Sequence, residues 1–385
     1  MKRLVLAGAG HAHAQVLLDW ARAPLPGVEL AVLSPHALAP YSGMVPGWLS
    51  GAYRFEQIAI DFPALCRAAG ARWIEGEIHA LDAGRRRLSL GNGDQIGYEF
   101  LSLNVGSTLT PQANGPASIL SLRPLSELRP QYEAMLARWV SDRSERAITI
   151  TAVGGGAAGF ESLLAVRARL QGLRPDRTVH AGLVTRGMTL LPDLSPAARR
   201  AALRTLHRAG VTLQLGVAWC DTIARSSELV LWATGAEAHA WQRDPARRGP
   251  LAVSERGFVH VDAQLRSLSH PEVFAVGDCA EWATPLPKAG VYAVRMGPVL
   301  SRNLRAALGQ GQPRPYKPQR RYLVLLSTSD GRAIASRGAL GGHGRWAWHW
   351  KDHIDRRFVD RFAVGSRVAS DVEPREPGPR SKRSV

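Results

Sequence analysis

The sequence predicts an α/β fold with two dinucleotide-binding units and a small C-terminal α+β domain. Three observations support this prediction. The segment "GAGHAHAQV" follows an apolar run near the N-terminus, and "VGGGAAGFE" follows another apolar run in the middle of the chain. Two further apolar runs, at 99–107 and 228–236, each lead to a glycine. A chain of 385 residues has room for two or three domains with separate cores.

The first unit is a βαβ segment. The apolar run 3–7 predicts a strand, the helical spacing of Val16, Leu17 and Trp20 predicts a helix, and the run 28–33 predicts the next strand. A segment of about 30 residues with this order is typical of a Rossmann-like unit.

The turn after the first strand carries two of the three glycines of a dinucleotide-binding loop. Gly8 and Gly10 let the backbone approach a pyrophosphate at the helix N-terminus, where free N–H groups favour anions. His13 stands in place of the third glycine, which serves helix–strand packing. We predict that His11 and His13 lie near a bound cofactor, and we favour the alternative that they are structural.

The second unit repeats the same order of elements. An apolar strand over 148–153 precedes the glycines, a helix over 161–173 follows them, and a second strand is expected over 179–184. This loop has no substitution, and its duplication strengthens the interpretation of the first loop. The motif glycines are Gly154, Gly156 and Gly159, and the two later runs end at Gly106 and Gly235.

The remaining third of the chain predicts strands after Pro250, a helix over 291–308 and a linker at 309–315. Strands at 322–326 and 333–337 and a terminal helix over 346–362 form the small C-terminal domain. Residues 366–385 are rich in proline, serine and charge, which predicts a disordered tail.

Composition excludes several classes of protein. The net charge is +17, but only five of the 49 basic residues are lysine and the arginines are scattered, so we predict no nucleic-acid partner. The three cysteines form no CxxC pair, and we predict no metal site. The apolar N-terminal stretch ends at Gly8 without a cleavage site, which favours a cytoplasmic protein.

These motifs, together with "VFAVGDCA" and "PKAGVYAVRMGPVL", resemble the FAD/NAD(P)-binding pyridine nucleotide-disulfide oxidoreductase superfamily over residues 1 to about 310. The resemblance implies that Asp278 holds the ribityl chain of FAD and that residues 288–292 meet the pyrimidine end of the flavin. Lys288 and Tyr292 are the candidate catalytic residues, because an ammonium would stabilise a reduced, anionic flavin.

The resemblance also implies the set of cofactor contacts. The FAD contacts are Gly8, Gly10, His11, His13, Ser34, Tyr41, Ser42, Ile78, Gly106, Gly277, Asp278, Lys288, Ala289, Gly290, Val291 and Tyr292. The NAD(P)H contacts are Gly154, Gly156, Gly159, Glu161, Arg186 and Gly235. The implied domains are 1–111 and 253–310 for FAD, 112–252 for NAD(P), 311–365 for the C-terminal domain and 366–385 for the tail.

Within the superfamily this chain departs from the disulfide reductases, because "PYSGMVPGWLSG" replaces their CxxxxC pair. It looks closer to the type II NADH dehydrogenases, and "GHAHAQV" and "WKDHIDRRF" look closest to a flavoprotein group also found fused to selenophosphate synthase. We interpret all three cysteines as buried fillers. A neutral Thr185 followed by Arg186 slightly favours NADPH over NADH.

The function implied is an FAD-dependent NAD(P)H dehydrogenase that passes hydride from NAD(P)H to flavin and electrons to a small-molecule acceptor such as a quinone. A selenium- or sulfur-linked reductase and a redox sensor that binds FAD without turnover stay open. The stripe Trp346, Trp350, Ile354, Phe358 and Phe362 favours packing on the flavin domain or on a second subunit of a homodimer. Peripheral contact with the inner membrane surface through this 346–362 helix is the alternative.

Overall fold

The computed structural model describes residues 1–112, 117–319 and 321–363. In chain order, the strands are β1 (Lys2–Ala7), β2 (Val28–Ser34), β3 (Leu38–Pro40), β4 (Ala59–Asp61), β5 (Arg72–Glu75), β6 (Ile78–Asp82), β7 (Arg87–Leu90), β8 (Gln95–Gly97), β9 (Phe100–Leu103), β10 (Thr108–Leu109), β11 (Ser118–Ser121), β12 (Ile148–Val153), β13 (Val179–Thr185), β14 (Val211–Leu215), β15 (Leu229–Trp232), β16 (Ala236–Glu237), β17 (Val259–His260), β18 (Val273–Ala275), β19 (Ala280–Glu281), β20 (Val324–Ser327), β21 (Ala333–Arg337) and β22 (Leu340–Gly344).

The helices are α1 (His11–Arg22), α2 (Val45–Leu49), α3 (Phe55–Ile58), α4 (Phe62–Ala69), α5 (Leu125–Ser141), α6 (Ala157–Leu173), α7 (Pro196–Arg208), α8 (Asp221–Arg225), α9 (Ala240–Arg243), α10 (Pro245–Arg248), α11 (Gly290–Ala307) and α12 (Arg345–Asp360).

The first sheet is parallel and has the strand order β18-β9-β1-β2-β5. Its central strand β1 is apolar on both faces, as expected for a sheet that is covered on both sides. Leu4 and Leu6 pack in the large core with α1 and α11, whereas Val5 and Ala7 belong to a second core beside the antiparallel sheet β6-β7-β8. Successive side chains of a strand point to opposite faces, so one short run supplies both cores.

The second sheet has the same plan, with the order β11-β15-β12-β13-β14 and all strands parallel. Strand β15 lies beside β12 as β9 lies beside β1, and the glycine turn follows the central strand in both sheets. The predicted α/β fold with two similar units is therefore confirmed.

Most predicted elements lie within two residues of the observed ones at each end. Helix α6 begins at Ala157 rather than at Glu161, and α12 spans Arg345–Asp360 rather than 346–362. The sequence analysis missed α5, β11 and the sheet β6-β7-β8, whose short runs carry a weak periodic signal. The predicted tail, 366–385, lies outside the described residues, and the domain boundaries stay a prediction.

The C-terminal residues form the antiparallel sheet β20-β21-β22 and the helix α12. Phe358 and Phe362, two of the five residues of the predicted packing stripe, are buried against the first unit. Trp346, Trp350 and Ile354 are 54%, 44% and 38% exposed, so they do not pack on the flavin domain, and their packing on a second subunit stays a prediction. The stripe therefore divides between a packed end and a solvent-facing end.

Helix α12 is fixed to the first unit by polar contacts as well as by packing. The Tyr53 hydroxyl donates to Asp352 Oδ1 at 2.5 Å, and the Tyr53 ring stacks on Trp348 with centroids 6.0 Å apart. Lys351 Nζ lies 2.5 Å from the Gly43 carbonyl and 2.6 Å from Asp355 Oδ2. Both members of this ion pair are buried, so each depends on the other for compensation of its charge.

We predict that replacing Lys351→Met destabilises the protein by about 3 kcal/mol, because Asp355 is left buried without its partner. The double replacement Lys351→Met/Asp355→Leu removes both charges and recovers most of this loss. Thermal melting of the wild-type protein, the single variant and the double variant measures these differences. A double variant that melts no higher than the single variant would show that the pair is not what holds α12 in place.

Candidate functional site

The first glycine turn is shaped by Asn104, which lies just after β9. A Cβ atom on Gly10 would stand 2.1 Å from Asn104 Oδ1, and one on Gly8 would stand 2.5 Å from the Asn104 carbonyl oxygen. Gly8 also has φ +100, which disfavours side chains. Asn104 Oδ1 accepts the Ala12 N–H at 3.1 Å, and its Nδ2 donates to the Val276 carbonyl at 3.1 Å. The turn therefore tolerates only glycine at these two positions.

His13, which replaces the third glycine, is fully buried beneath this turn. Its Nδ1 lies 2.7 Å from the Gly8 carbonyl oxygen and its Nε2 lies 2.8 Å from Ser102 Oγ on β9. Burial lowers the His13 pKa to about 4 although the Gly8 carbonyl opposes this shift, so the ring is neutral at pH 7. Both ring nitrogens are engaged by the protein, which leaves neither for a cofactor and supports the favoured alternative that His13 is structural.

His11 lies at the first position of α1 in an aromatic cluster with Tyr41 and Phe358. The ring centroids are 5.5 Å apart for His11 and Tyr41 and 4.4 Å apart for Tyr41 and Phe358. His11 Nε2 is buried and has no hydrogen-bond partner among the described residues. Burial lowers its pKa to about 4, while the charge of Asp278 opposes this shift. A buried polar atom without a partner beside a glycine turn fits a site that binds a polar cofactor.

Asp278 follows Gly277 in a short 3-10 turn and is held by an arginine that sequence reasoning missed. Arg123 Nη1 donates to Asp278 Oδ2 at 2.5 Å and to Ser107 Oγ at 2.6 Å. Arg123 Nη2 donates to the Lys288 carbonyl at 2.9 Å. The Arg123 guanidinium therefore joins the turn of Gly277 and Asp278 to the segment before α11. These two segments meet at the carboxyl edge of the first sheet.

The segment 288–292 meets the loop that carries two other predicted flavin contacts, Tyr41 and Ser42. A Cβ on Gly290 would stand 2.4 Å from Ser42 Oγ, so the loop of Tyr41 and Ser42 meets the N-terminus of α11. The Lys288 ammonium donates to the Ala280 carbonyl at 2.7 Å and lies 3.7 Å from the ring centroid of Phe258. Burial lowers the Lys288 pKa from its usual value.

Three further predicted flavin contacts, Tyr292, Ser34 and Ile78, lie on three different elements, α11, β2 and β6. Tyr292 is buried, with its ring 5.7 Å from that of Tyr322. Ser34 ends β2 and donates to the His36 carbonyl at 3.3 Å. Ile78 packs in the second core rather than toward the glycine turn. Of these three, Ser34 alone offers a polar atom at the end of a strand of the first sheet.

The second glycine turn follows β12, and its three glycines differ in their structural surroundings. Gly154 has φ +124, and a Cβ on Gly159 would stand 2.0 Å from the Gly154 carbonyl oxygen, so α6 packs directly on the turn. A Cβ on Gly156 meets nothing within 4 Å. Gly235, with φ +78, ends the neighbouring segment after β15, and Arg186 is exposed beyond β13. The space above Gly156 fits the phosphates of a dinucleotide.

Glu161, predicted as an NAD(P)H contact, is buried and turns toward the C-terminal sheet. Its Oε1 accepts the Ser327 N–H at 2.6 Å. Burial raises the Glu161 pKa to about 7, and the charges of Lys351 and Asp355 shift it in opposite directions. Burial also raises the pKa of Asp355, while Lys351 opposes that rise. Glu161 is thus near enough to the Lys351–Asp355 ion pair for both charges to shift its pKa, and we call these three buried side chains the buried cluster. Of the three, Lys351 reaches Gly43, the residue after Ser42.

The cysteines correct one prediction. Cys66 and Cys279 are buried, but Cys220 is exposed, so it does not fill a core. Burial raises the pKa of Cys66 to about 12 and that of Cys279 to about 11, which keeps both thiols protonated and unreactive at neutral pH. Among the described residues, no group of three histidine, cysteine or acidic side chains is placed to bind a metal ion.

We predict that Gly10→Ala abolishes flavin retention and lowers the melting temperature, because the new methyl group collides with Asn104. Gly156→Ala is the matched control, since its methyl group meets no protein atom within 4 Å and its φ of −85 is accessible to alanine. Flavin content by absorbance and thermal melting check both variants. Equal flavin content in the two variants would contradict the role assigned to Asn104.

Most of the chain is similar to known proteins. The family model of pyridine nucleotide-disulphide oxidoreductases matches residues 2–297. Ferroptosis suppressor protein 1 of Taeniopygia guttata is 24% identical over 352 residues, which are 86% of this chain and 87% of that protein. The alternative NAD(P)H-ubiquinone oxidoreductase C1 of Arabidopsis thaliana is 25% identical over 299 residues, covering 66% of this chain and 56% of that protein.

Solved structures agree with the fold. NDH2 from Plasmodium falciparum in complex with NADH has a TM-score of 0.74 at 11% identity, covering 95% of this chain and 98% of that chain. The sulfide:quinone oxidoreductase from Aquifex aeolicus has a TM-score of 0.72 at 14% identity, covering 94% and 91%. The chain therefore belongs to the pyridine nucleotide-disulphide oxidoreductase family, as an FAD-dependent NAD(P)H oxidoreductase of the type II NADH dehydrogenase-like kind.

Proposed function

We propose that this oxidoreductase reduces a quinone with electrons from NAD(P)H at a membrane surface. The relative from Arabidopsis thaliana is named for ubiquinone, and one similar structure is a sulfide:quinone oxidoreductase. The observation that carries the proposal is the buried cluster of Glu161, Lys351 and Asp355. Reduction of a quinone by NAD(P)H consumes one proton from solution for each quinol formed, so the site needs a group that holds and delivers a proton.

Glu161 suits this role because its carboxyl group gains and loses a proton near neutral pH. With a pKa of about 7, it exchanges a proton at neutral pH, which is the condition for efficient acid catalysis. Lys351 Nζ donates hydrogen bonds to the Gly43 carbonyl and to the Asp355 carboxylate. It thereby links the cluster to the loop that carries Tyr41 and Ser42. This loop meets the N-terminus of α11, and the cluster thus lies next to the predicted flavin contacts.

Bound flavin supplies the hydride and electron-transfer chemistry. The chain positions the reacting rings and excludes water from them. We propose that Gly8, Gly10 and the N-terminus of α1 hold the pyrophosphate. Asp278, oriented by Arg123, holds the ribityl chain, and α11 faces the pyrimidine end. The turn at Gly156 holds the nicotinamide dinucleotide.

The choice of nicotinamide is proposed from Thr185 and Arg186 at the end of β13. Thr185 offers no carboxylate to a ribose, and its Oγ1 accepts the Gly187 N–H at 3.3 Å. Arg186 is exposed and forms no ion pair in the part of the chain that the structure describes. A guanidinium without a carboxylate partner favours the 2′-phosphate of NADPH.

We propose that the exposed end of α12 makes the membrane contact. Trp346, Trp350 and Ile354 recur every four residues on one face, and the two indole rings lie 6.3 Å apart. Tryptophan favours the membrane–water interface, and an exposed apolar patch marks a contact surface. Among the described residues, no helix combines the length and apolarity that a bilayer span requires. A cytoplasmic location and a homodimer stay predictions.

We predict that Glu161→Gln lowers kcat for ubiquinone reduction about 100-fold, because the amide cannot deliver a proton. Wild-type activity falls as pH rises through about 7, since Glu161 then loses its proton, and the variant lacks this step. Steady-state quinone reduction gives both results. Anaerobic stopped-flow mixing with NADPH and NADH measures flavin reduction separately, and we expect it to change little in the variant.

The control is Glu255→Gln, which removes the charge of an exposed glutamate. A variant Glu161→Gln that slows flavin reduction as much as quinone reduction would assign Glu161 to nicotinamide binding instead. Failure of the wild-type protein to reduce ubiquinone, with turnover of a sulfur or selenium acceptor, would overturn the quinone proposal.

A further inference from the structure

A buried hydrogen bond to sulfur supports the turn of Gly277 and Asp278. The Gly277 N–H donates to Met296 Sδ, with the nitrogen and the sulfur 3.2 Å apart. Gly277 is buried in the short 3-10 turn after β18, and Met296 lies on α11 with 1% of its surface exposed. A thioether is a weak acceptor, but it is the acceptor that this N–H has among the described residues. The turn therefore takes the partner of a buried donor from α11.

The backbone of this turn is enclosed on two sides. Gly277 has φ +69, a left-handed conformation that favours glycine. A Cβ atom on Gly277 would stand 2.7 Å from Asn104 Nδ2 and 3.3 Å from the Ala293 Cβ. Ala293 and Met296 are three positions apart, so they lie on the same face of α11. One face of α11 therefore both packs against the turn and accepts its N–H.

The side chain that this turn presents has one oxygen that the protein does not use. Asp278 Oδ2 accepts hydrogen bonds from Arg123 Nη1 and from the Ser107 hydroxyl. Asp278 Oδ1 has no hydrogen-bond partner within 1–112, 117–319 and 321–363. A carboxylate accepts through both oxygens, so Oδ1 is available to a hydroxyl of the ribityl chain. Its direction depends on the peptide that joins Asp278 to Gly277.

A second sulfur contact at the turn is different in kind. Cys279 Sγ donates to the Val276 carbonyl at 3.2 Å and to the Leu103 carbonyl at 3.3 Å. Both carbonyls have other donors, because Asn104 Nδ2 donates to the Val276 carbonyl and the Val276 N–H donates to the Leu103 carbonyl. Loss of the thiol leaves neither acceptor unpaired, whereas the thioether is the sole acceptor of the Gly277 N–H among the described residues.

The hydrogen bond to the thioether matters because its donor is buried. A buried N–H without an acceptor is unfavourable, and removal of the acceptor alone leaves the full cost of burying that donor. Leucine has a volume similar to that of methionine and fills the same core, but it offers no acceptor. With Met296→Leu, the Gly277 peptide gains a partner only by rotating, and Asp278 then moves with it. The expected loss therefore falls on flavin binding as well as on stability.

We propose that Met296 is a positioning residue of the flavin site. Its sulfur fixes the Gly277 peptide, and this peptide directs Asp278 Oδ1 toward the ribityl chain. Met296 is buried, so it acts through the turn and not by a contact of its own with the cofactor. This inference rests on the placement of FAD proposed above and adds to it the group that orients Asp278.

The test removes flavin from the full chain and measures the affinity for added FAD by fluorescence titration. We expect Met296→Leu to raise the Kd for FAD about tenfold, because one buried donor loses its acceptor. Met296→Gln places a carboxamide oxygen near the same N–H, and we expect it to recover most of the affinity. The controls are Met135→Leu, at a half-buried methionine of α5, and Cys279→Ala, and we expect both to change the Kd little.

A double-mutant cycle with Asp278→Asn shows whether Met296 acts through the carboxylate. We expect Met296→Leu to weaken FAD binding no further when Asp278 is already replaced, because the two residues act as one unit. Losses that multiply in the double variant would overturn the inference, since Met296 would then act by another route. Equal losses in Met296→Leu and Cys279→Ala would also overturn it, since any change at the turn would then have the same effect.

The remaining outcomes separate this inference from the catalytic proposal. If Met296→Leu does not fold, Met296→Gln decides, because wild-type affinity for FAD supports the inference and an affinity about tenfold lower overturns it. An Asp278→Asn variant with unchanged FAD affinity overturns both the inference and the proposed ribityl contact. The titration uses neither NAD(P)H nor quinone, so a wild-type protein that binds FAD and fails to reduce ubiquinone overturns the quinone proposal alone.

Discussion

The contact between Asn104 and the first glycine turn is the constraint on which the flavin site depends. Asn104 accepts the Ala12 N–H and donates to the Val276 carbonyl, and so it joins segments separated by 92 and 172 positions in the chain. These segments meet because β1, β9 and β18 are parallel neighbours whose carboxyl ends share one edge. The close approach of Asn104 to the turn excludes side chains at Gly8 and Gly10. His13 is accommodated in place of the third glycine because both of its ring nitrogens have hydrogen-bond partners, the Gly8 carbonyl and the Ser102 hydroxyl.

The buried cluster connects the C-terminal domain to the chemistry. Glu161 belongs to the second unit, Lys351 and Asp355 belong to α12, and the Gly43 carbonyl belongs to the first unit. Burial of charge is unfavourable unless partners compensate it, so the cluster forms only when all three parts of the chain are assembled. The same helix buries this cluster on one face and displays tryptophans on another, which places a proton-holding group behind the proposed membrane contact.

Different parts of the site were accessible to sequence reasoning to different degrees. The glycine turns were anticipated, and Asp278, Ser42 and Gly290 were predicted as flavin contacts, because each belongs to a motif with a local signature. Asn104 and Arg123 were missed. Neither residue has a signature of its own, and in a chain with so many arginines Arg123 is distinguished only by the carboxylate that it meets. Cys220 was placed in a core because the sequence shows a residue's polarity but not the depth of its loop.

The sequence by itself determined the two repeated units, because the alternation of apolar runs, glycine turns and helical spacing is a local property of the backbone. Tertiary structure alone decided what each side chain contacts. It turned His13 beneath the loop and Glu161 away from the dinucleotide turn, and it divided the aromatic stripe of α12 between core and solvent. These outcomes depend on which distant segment supplies a hydrogen-bond partner or covers an apolar face, and the spacing of residues along one segment does not contain that information.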